Sequence, residues 1–184
     1  MLLRNFTLFL GLLLLSSCGF RPLYRAEESA DVVQLMEQTR VNLIKNRTGQ
    51  RLRTLLMMRM SPNGDPSNPV YVLDVDLEET TRQLGYLRDA TSSRAILNLE
   101  AKYALKDAKT GKTVFMGSQM ASANYSILRS PVDSSRLNTS DYSTMVSEDG
   151  CRGRAINQLA HDLKLQIALR LRELNRPQAA KSKG

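Results

Sequence analysis

Residues 95–106 read Ala95-Ile96-Leu97-Asn98-Leu99-Glu100-Ala101-Lys102-Tyr103-Ala104-Leu105-Lys106. Ala95, Leu97, Leu99, Ala101, Tyr103 and Leu105 take every second position, and Asn98, Glu100, Lys102 and Lys106 fall between them. Successive side chains of a β-strand point to opposite faces, so this pattern predicts a strand buried on one side and wet on the other. A helix would scatter both sets around its circumference. The fold must therefore supply an apolar layer for one face of a sheet, and it can leave the other face open.

The flanking segments build the rest of that sheet. Residues 107–112, with Thr110-Gly111, predict a turn, and residues 113–127 return as a strand of weaker alternation. On the other side, Tyr71, Leu73, Val75 and Leu77 share one face while Asp74, Asp76 and Glu78 share the opposite one. Residues 39–44 alternate as well and predict a further strand. Between these strands, Leu52, Leu55, Leu56 and Met60 repeat at helical spacing, with Arg51, Arg53 and Arg59 largely on the outer side. Asn46 or Thr48 is placed to cap that helix, and Ser61-Pro62-Asn63-Gly64 ends it.

Residues 128–139 are polar, rich in Ser, and predict a loop. A long helix follows from about residue 141 to residue 174, with Ile156, Leu159, Leu163, Ile167 and Leu171 along one side. Gly150 and Gly153 weaken its first half by about 1 kcal/mol each relative to Ala, so a bend or fray is expected there. Asn175-Arg176-Pro177 is expected to end it, leaving 176–184 as a disordered tail. The order β-α-β-β-β-α predicts an α+β two-layer sandwich, with two helices on one face of a mostly antiparallel four-stranded sheet. A single domain over 38–175 is expected. Residues 19–30 read as an irregular tether and 31–37 as one short helical turn.

The start of the chain is of a different kind. Met1-Leu2-Leu3-Arg4 carries one positive charge, and residues 6–15 carry none. That stretch is too short to span a bilayer as a helix, which takes about 20 residues. A basic start, a short apolar run and small residues form the pattern of a secretory signal peptide, here residues 1–17. Leu15-Ser16-Ser17-Cys18 resembles the bacterial lipobox, in which the Cys thiol receives a diacylglycerol and the chain is cut just before it. The alternative is an ordinary signal peptide with Cys18 incidental or in a disulfide; position, length and all four residue types favour the lipobox. The expectation is an acylated Cys18 followed by a tether to residue 37. Two acyl chains would hold the protein on a membrane surface without crossing it. An Asp directly after such a Cys favours inner-membrane retention in enterobacterial lipoproteins. Gly19 stands here, which by that resemblance favours the periplasmic face of the outer membrane.

The net charge of the 184-residue chain is +8, and cleavage before Cys18 would remove only Arg4 from the charged set. A basic balance suits an anionic partner or simply solubility. Export directs the first reading to phosphorylated lipid or anionic glycan and away from nucleic acid. With Cys18 acylated, Cys151 has no partner within the chain, so no disulfide framework is expected. His161 is the only His, and no Cys/His cluster or Ser-His-Asp set is identifiable, so no catalysis, metal or cofactor is expected. The cationic candidates lie where strands meet loops: Arg88 and Arg94 around 89–93, and Arg129 and Arg136 around the loop after the third strand. The other reading of each is a solvated surface charge.

Two stretches carry a family resemblance. Cys18-Gly19-Phe20-Arg21-Pro22-Leu23-Tyr24 follows the expected cut, and Asn46-Arg47-Thr48-Gly49-Gln50-Arg51-Leu52-Arg53 enters the first long helix. With the lipobox and the order of elements, they resemble the lipopolysaccharide-assembly lipoproteins of the LptE family, in its alphaproteobacterial branch. Asn46 replaces the Asp of that branch's recurring pattern, a mild change for a helix cap. The resemblance implies two helices on a four-stranded sheet. It also implies a protein that plugs and helps assemble the LptD β-barrel and binds lipopolysaccharide on its way to the cell surface. It further implies lipopolysaccharide as the ligand of basic residues in the regions of Arg88, Arg94, Arg129 and Arg136. Another outer-membrane accessory lipoprotein, such as a pilotin or a lipid-transport subunit, shares the anchor, size and charge.

Overall fold

A computed structural model describes residues 26–84, 92–128 and 137–181 of the chain. Residues 1–31 and 32–184 cluster as two units, and of the first only 26–31 are described. Those residues open a helix, α1 (Ala26–Glu37). There follow β1 (Thr39–Val41), α2 (Asn46–Met60), β2 (Tyr71–Leu84), β3 (Ser92–Asp107), β4 (Thr113–Leu128) and α3 (Leu137–Lys181).

The strands form one sheet in the order β1-β2-β3-β4. The quoted stretch lies in β3, with its alternation intact: Ala95, Leu97, Leu99, Ala101 and Leu105 are fully buried, and Asn98, Glu100 and Lys102 share the opposite face. β3 pairs antiparallel with β2, Leu73 opposite Leu105, and with β4, Leu97 opposite Ala123. Asp107 closes the β3–β4 turn by accepting from the Lys109 and Thr110 amides at 3.0 and 2.7 Å. Gly111 supplies the left-handed residue there, with φ +68°.

β1 pairs parallel with β2, so the sheet is mixed. The β1-α2-β2 order dictates this, because a helical crossover returns the chain in the same direction. β1 is also shorter than the expected 39–44. Asn42 still donates its amide to Leu73, but Asn46, at φ +61°, turns the chain into α2. The Asn46 side chain accepts the Gly49 amide at 2.8 Å. Its non-helical backbone and that bond make Asn46 the working cap, although helical hydrogen bonding begins one residue after Lys45. Thr48, the other expected cap, donates to Glu79 instead.

α2 and α3 cover one face of the sheet. Leu52, Leu56 and Met60 from α2 meet Ile156, Leu159, Leu163, Ile167 and Leu171 from α3 over the apolar row of the strands. Each such side chain taken out of water stabilises the fold by about 1.5–3 kcal/mol. The helices also join at their sides. Arg51 bonds to Asp149 at 2.7 Å and Arg59 to the Asn157 carbonyl at 2.8 Å, so these arginines reach across to α3.

Three expectations about the helices are corrected. α1 is a third helix where a tether and a single turn were expected. Ala and Glu at its start are good helix formers, and Val32, Leu35 and Met36 make a stripe of which Val32 and Met36 are buried. Gly150 and Gly153 do not interrupt α3. Gly153 faces α2, where a Cβ would lie 3.9 Å from the Arg51 guanidinium. α3 also continues past Pro177 to Lys181. A proline removes one helical hydrogen bond, but its fixed φ is itself helical.

Candidate functional site

The sheet face away from the helices is built by the second register of the same strands. Its rows are Asp74, Asp76, Glu78, Thr80, Arg82 and Leu84 on β2, and Lys106, Lys102, Glu100, Asn98, Ile96 and Arg94 on β3. Met116, Ser118, Met120, Ser122 and Asn124 complete it on β4. This face divides into two halves of different charge.

Near the 107–112 turn acids outnumber bases, with Asp74, Asp76, Glu78 and Glu100 around Lys102 and Lys106. Lys106 lies 2.7 Å from Asp74 and Lys102 lies 3.3 Å from Glu78. The Lys106 hydrogen bond holds the Asp74 carboxyl below its usual range against the opposing effect of burial, with Asn42 assisting. The Glu78 carboxylate raises Lys102 in turn. An open groove of about 820 Å³ lies here, lined by Leu43, Lys45, Asp76, Lys102 and Met116 among others.

Past Thr80 and Asn98 the described residues of this face carry no acid. Arg82 stands opposite Ile96, and Arg94 opposite Leu84. The two arginines are therefore diagonal neighbours across the β2–β3 pair, a separation that long side chains span. Both are exposed, and neither has an ion pair among the described residues. Leu84 beside them is 49 % exposed. The opening of α3 lies toward the same end. Arg154 donates to the Asn124 carbonyl, and Arg170 influences Tyr103, which stands opposite Gly117, so α3 runs against β4 and its first turns lie toward the end of β4. Those turns expose Tyr142 (69 %), Met145 (68 %) and Val146 (55 %). This end of the sheet thus carries two guanidinium groups without an ion pair among the described residues, beside exposed Leu84.

A polar clamp stands just inside this end. Glu79 accepts from Thr48 Oγ1 at 2.8 Å and from Arg152 Nε at 2.9 Å, and Arg152 also donates to Glu148 at 2.6 Å. It ties α2, β2 and α3 together beneath the cationic end.

Of the expected site residues, Arg94 is part of this end. Cys18, Arg88, Arg129 and Arg136 lie outside the described residues. The strand ends that flank them are informative: Leu84 registers with Arg94, and Ser92 with Leu128. β2 and β4 therefore both end, and β3 begins, at this end of the sheet. Arg82 was missed by sequence reasoning. Its signal was the even-numbered parity of Asp74, Asp76 and Glu78, which continues to residue 84. His161 is exposed on α3, and Cys151 is buried in the core, where burial raises its thiol. No group of three metal-ligating side chains occurs among the described residues, and no described helix is long and apolar enough to cross a membrane.

No family model and no curated protein sequence matches this chain. Solved structures do. A Caulobacter crescentus protein described as a lipoprotein is 20 % identical, with a TM-score of 0.58 over 77 % of this chain and 96 % of that one. A minor lipoprotein of Acinetobacter baumannii is 23 % identical, with a TM-score of 0.48 over 72 % and 92 %. The rare lipoprotein B of Shewanella oneidensis is 18 % identical, with a TM-score of 0.41 over 76 % and 98 %. The first is a likeness of fold.

Proposed function

We propose that this chain is an outer-membrane lipoprotein, anchored through Cys18 at the periplasmic face. In this reading it plugs and helps assemble a large β-barrel of the LptD type, and it binds lipopolysaccharide at the cationic end of its open sheet face. It catalyses no reaction. The observation that carries the reading is the pair Arg82 and Arg94, without an acidic neighbour among the described residues of their face and beside exposed Leu84. An amphiphile with phosphates and acyl chains needs both kinds of surface. Guanidinium forks hold phosphate through paired hydrogen bonds and can stand in for the divalent cations that bridge such lipids. The lipobox resemblance at Cys18 and the fold shared with a protein described as a lipoprotein support the anchor.

The plug role is supported by the rest of the surface. The lumen of a large barrel is polar, and a plug needs its own core inside a hydrogen-bonding exterior. Here the core lies between sheet and helices, and the open face is a mosaic of Ser, Asn, Thr and charges of both signs. The test is a pull-down of the full chain from detergent-solubilised outer membrane, identifying protein and lipid in the eluate. A stoichiometric barrel together with lipopolysaccharide is the expected result. A different pore with no bound lipid would assign the chain to the pilotin-like alternative.

A further inference from the structure

We infer that the outer edge of β4 is a docking strand, to which an extended, charge-free segment of the barrel partner adds as a fifth strand. The partner's identity rests on the function proposed above. The mode of contact rests on the edge itself.

Among the described residues β4 is the outer strand of the sheet, with β3 on its inner side only. It reads TVFMGSQMASANYSIL over 16 residues, without Asp, Glu, Lys, Arg or Pro. An unpaired edge presents a row of free amides and carbonyls, and natural sheets blunt such edges with charges, prolines or short strands. The opposite edge of this sheet follows that rule. β1 is three residues long with Arg40 at its centre, and the part of β2 beyond it carries Asp74, Asp76, Glu78, Glu79 and Arg82. β4 is long and neutral where the other edge is short and charged. An edge with this composition is suited to accept a strand.

The side chains specify what kind of strand. On the open face Met116 is 75 % exposed and Met120 is 56 % exposed, separated by Ser118. Thioethers adapt to varied apolar neighbours. The incoming strand is therefore apolar at alternate positions on that face and uncharged throughout, since β4 offers no counter-ion. Arg154 donates to the Asn124 carbonyl, so pairing is placed on the part of β4 before Asn124. A second copy of the chain fits less well. Two β4 strands would pair antiparallel about a two-fold axis, sending the two cationic ends in opposite directions, and a single membrane surface cannot serve both.

The test uses the full chain in cells. A photo-crosslinking residue is placed in turn at Met116, Ser118, Met120 and Ser122, and at Thr80 on β2 as a control. Adducts of barrel mass from the β4 positions that all map to one extended barrel segment are the expected result, while any adduct from Thr80, on the open face of a plug, should map elsewhere on the barrel wall. In parallel, Met116→Lys with Met120→Lys puts two charges on the edge, the first opposite Ala104 and so without a partner across the strand, and should cut barrel co-purification about ten-fold. Both sites are exposed, so circular dichroism should show an unchanged fold. A barrel that co-purifies while the β4 positions give no adduct overturns the docking strand and leaves the proposed function standing. An adduct of two copies of the chain overturns it in favour of self-pairing. If no barrel co-purifies with the unmodified chain, the function and this partner fall together.

Discussion

Gly49 shows how one residue can reverse a propensity rule. It lies in the first turn of α2 and is buried, and Ala is ordinarily better than Gly in a helix by about 1 kcal/mol. Here a Cβ would sit 2.5 Å from Ile44 Cγ2 and 3.3 Å from Asn46 Oδ1, the oxygen that caps the helix. Ile44 is itself buried and cannot swing aside. Gly49→Ala should therefore destabilise the protein by about 1–3 kcal/mol, the usual cost of overpacking. In an Ile44→Ala background the same change should become neutral or favourable. Chemical denaturation of the four chains measures this, and an equal cost in both backgrounds would place the strain elsewhere. Asp74 carries a second residue-scale prediction. The Lys106 hydrogen bond holds its folded pKa below the unfolded value of about 3.9. A depressed carboxylate stabilises fully above its unfolded pKa and loses that contribution as pH falls through the folded value. Asp149, held down by Arg51, and Asp107, held down by the Thr110 amide, act with the same sign. The melting temperature should stay level from neutral pH to about pH 5 and fall below about pH 4. Asp74→Asn should reduce that acid slope, and an unchanged slope would remove Asp74 from the account.

Elements are held by different means along their length, and α3 divides accordingly. Its second half buries Leu159, Leu163, Ile167 and Leu171 on the sheet. Its first half is tied by Arg152 to Glu79 and Glu148 and by Asp149 to Arg51. Arg152→Leu leaves Glu79 half-buried without its cation, at a cost of about 1–3 kcal/mol. Hydrogen exchange should then speed up over residues 142–152 while 155–171 stay protected. Uniform loss would mean that α3 is one cooperative unit. The same division explains what the sequence made legible. β3, β4 and the 107–112 turn could be read because a single face decides every second residue, and β2 could be read as far as Glu78. Arg82 escaped because residues 79–83 are all polar and Leu84, the next apolar residue, is itself exposed on the open face, so nothing marks the phase. α1 was obscured by Glu27-Glu28-Ser29, which looks like solvent-facing tether until Val32 and Met36 find the core. The parallel pairing of β1 and the clamp at Glu79 are tertiary facts with no local signature.

At the scale of the whole molecule, the question is whether its basic charge acts everywhere or at one place. Bulk charge alone would draw the chain to any anionic surface, with an attraction that salt screens. The structure instead separates an end where acids outnumber Lys102 and Lys106 from an end where Arg82 and Arg94 face no acid among the described residues on their side of the sheet. Two charge reversals of equal net effect distinguish these accounts. Arg82→Glu with Arg94→Glu alters the cationic end, while Lys109→Glu with Lys112→Glu alters exposed residues of the turn at the far end. If the site is local, the first pair should weaken binding to vesicles containing lipopolysaccharide by about ten-fold, and the second by far less. Co-purification of a barrel should survive both, because the β4 edge and the core are untouched. Sedimentation of the protein with vesicles at low and physiological salt gives the comparison. Equal losses from the two pairs would reduce the interaction to diffuse charge, and no loss from the arginine pair would remove the proposed lipid site from this end of the sheet.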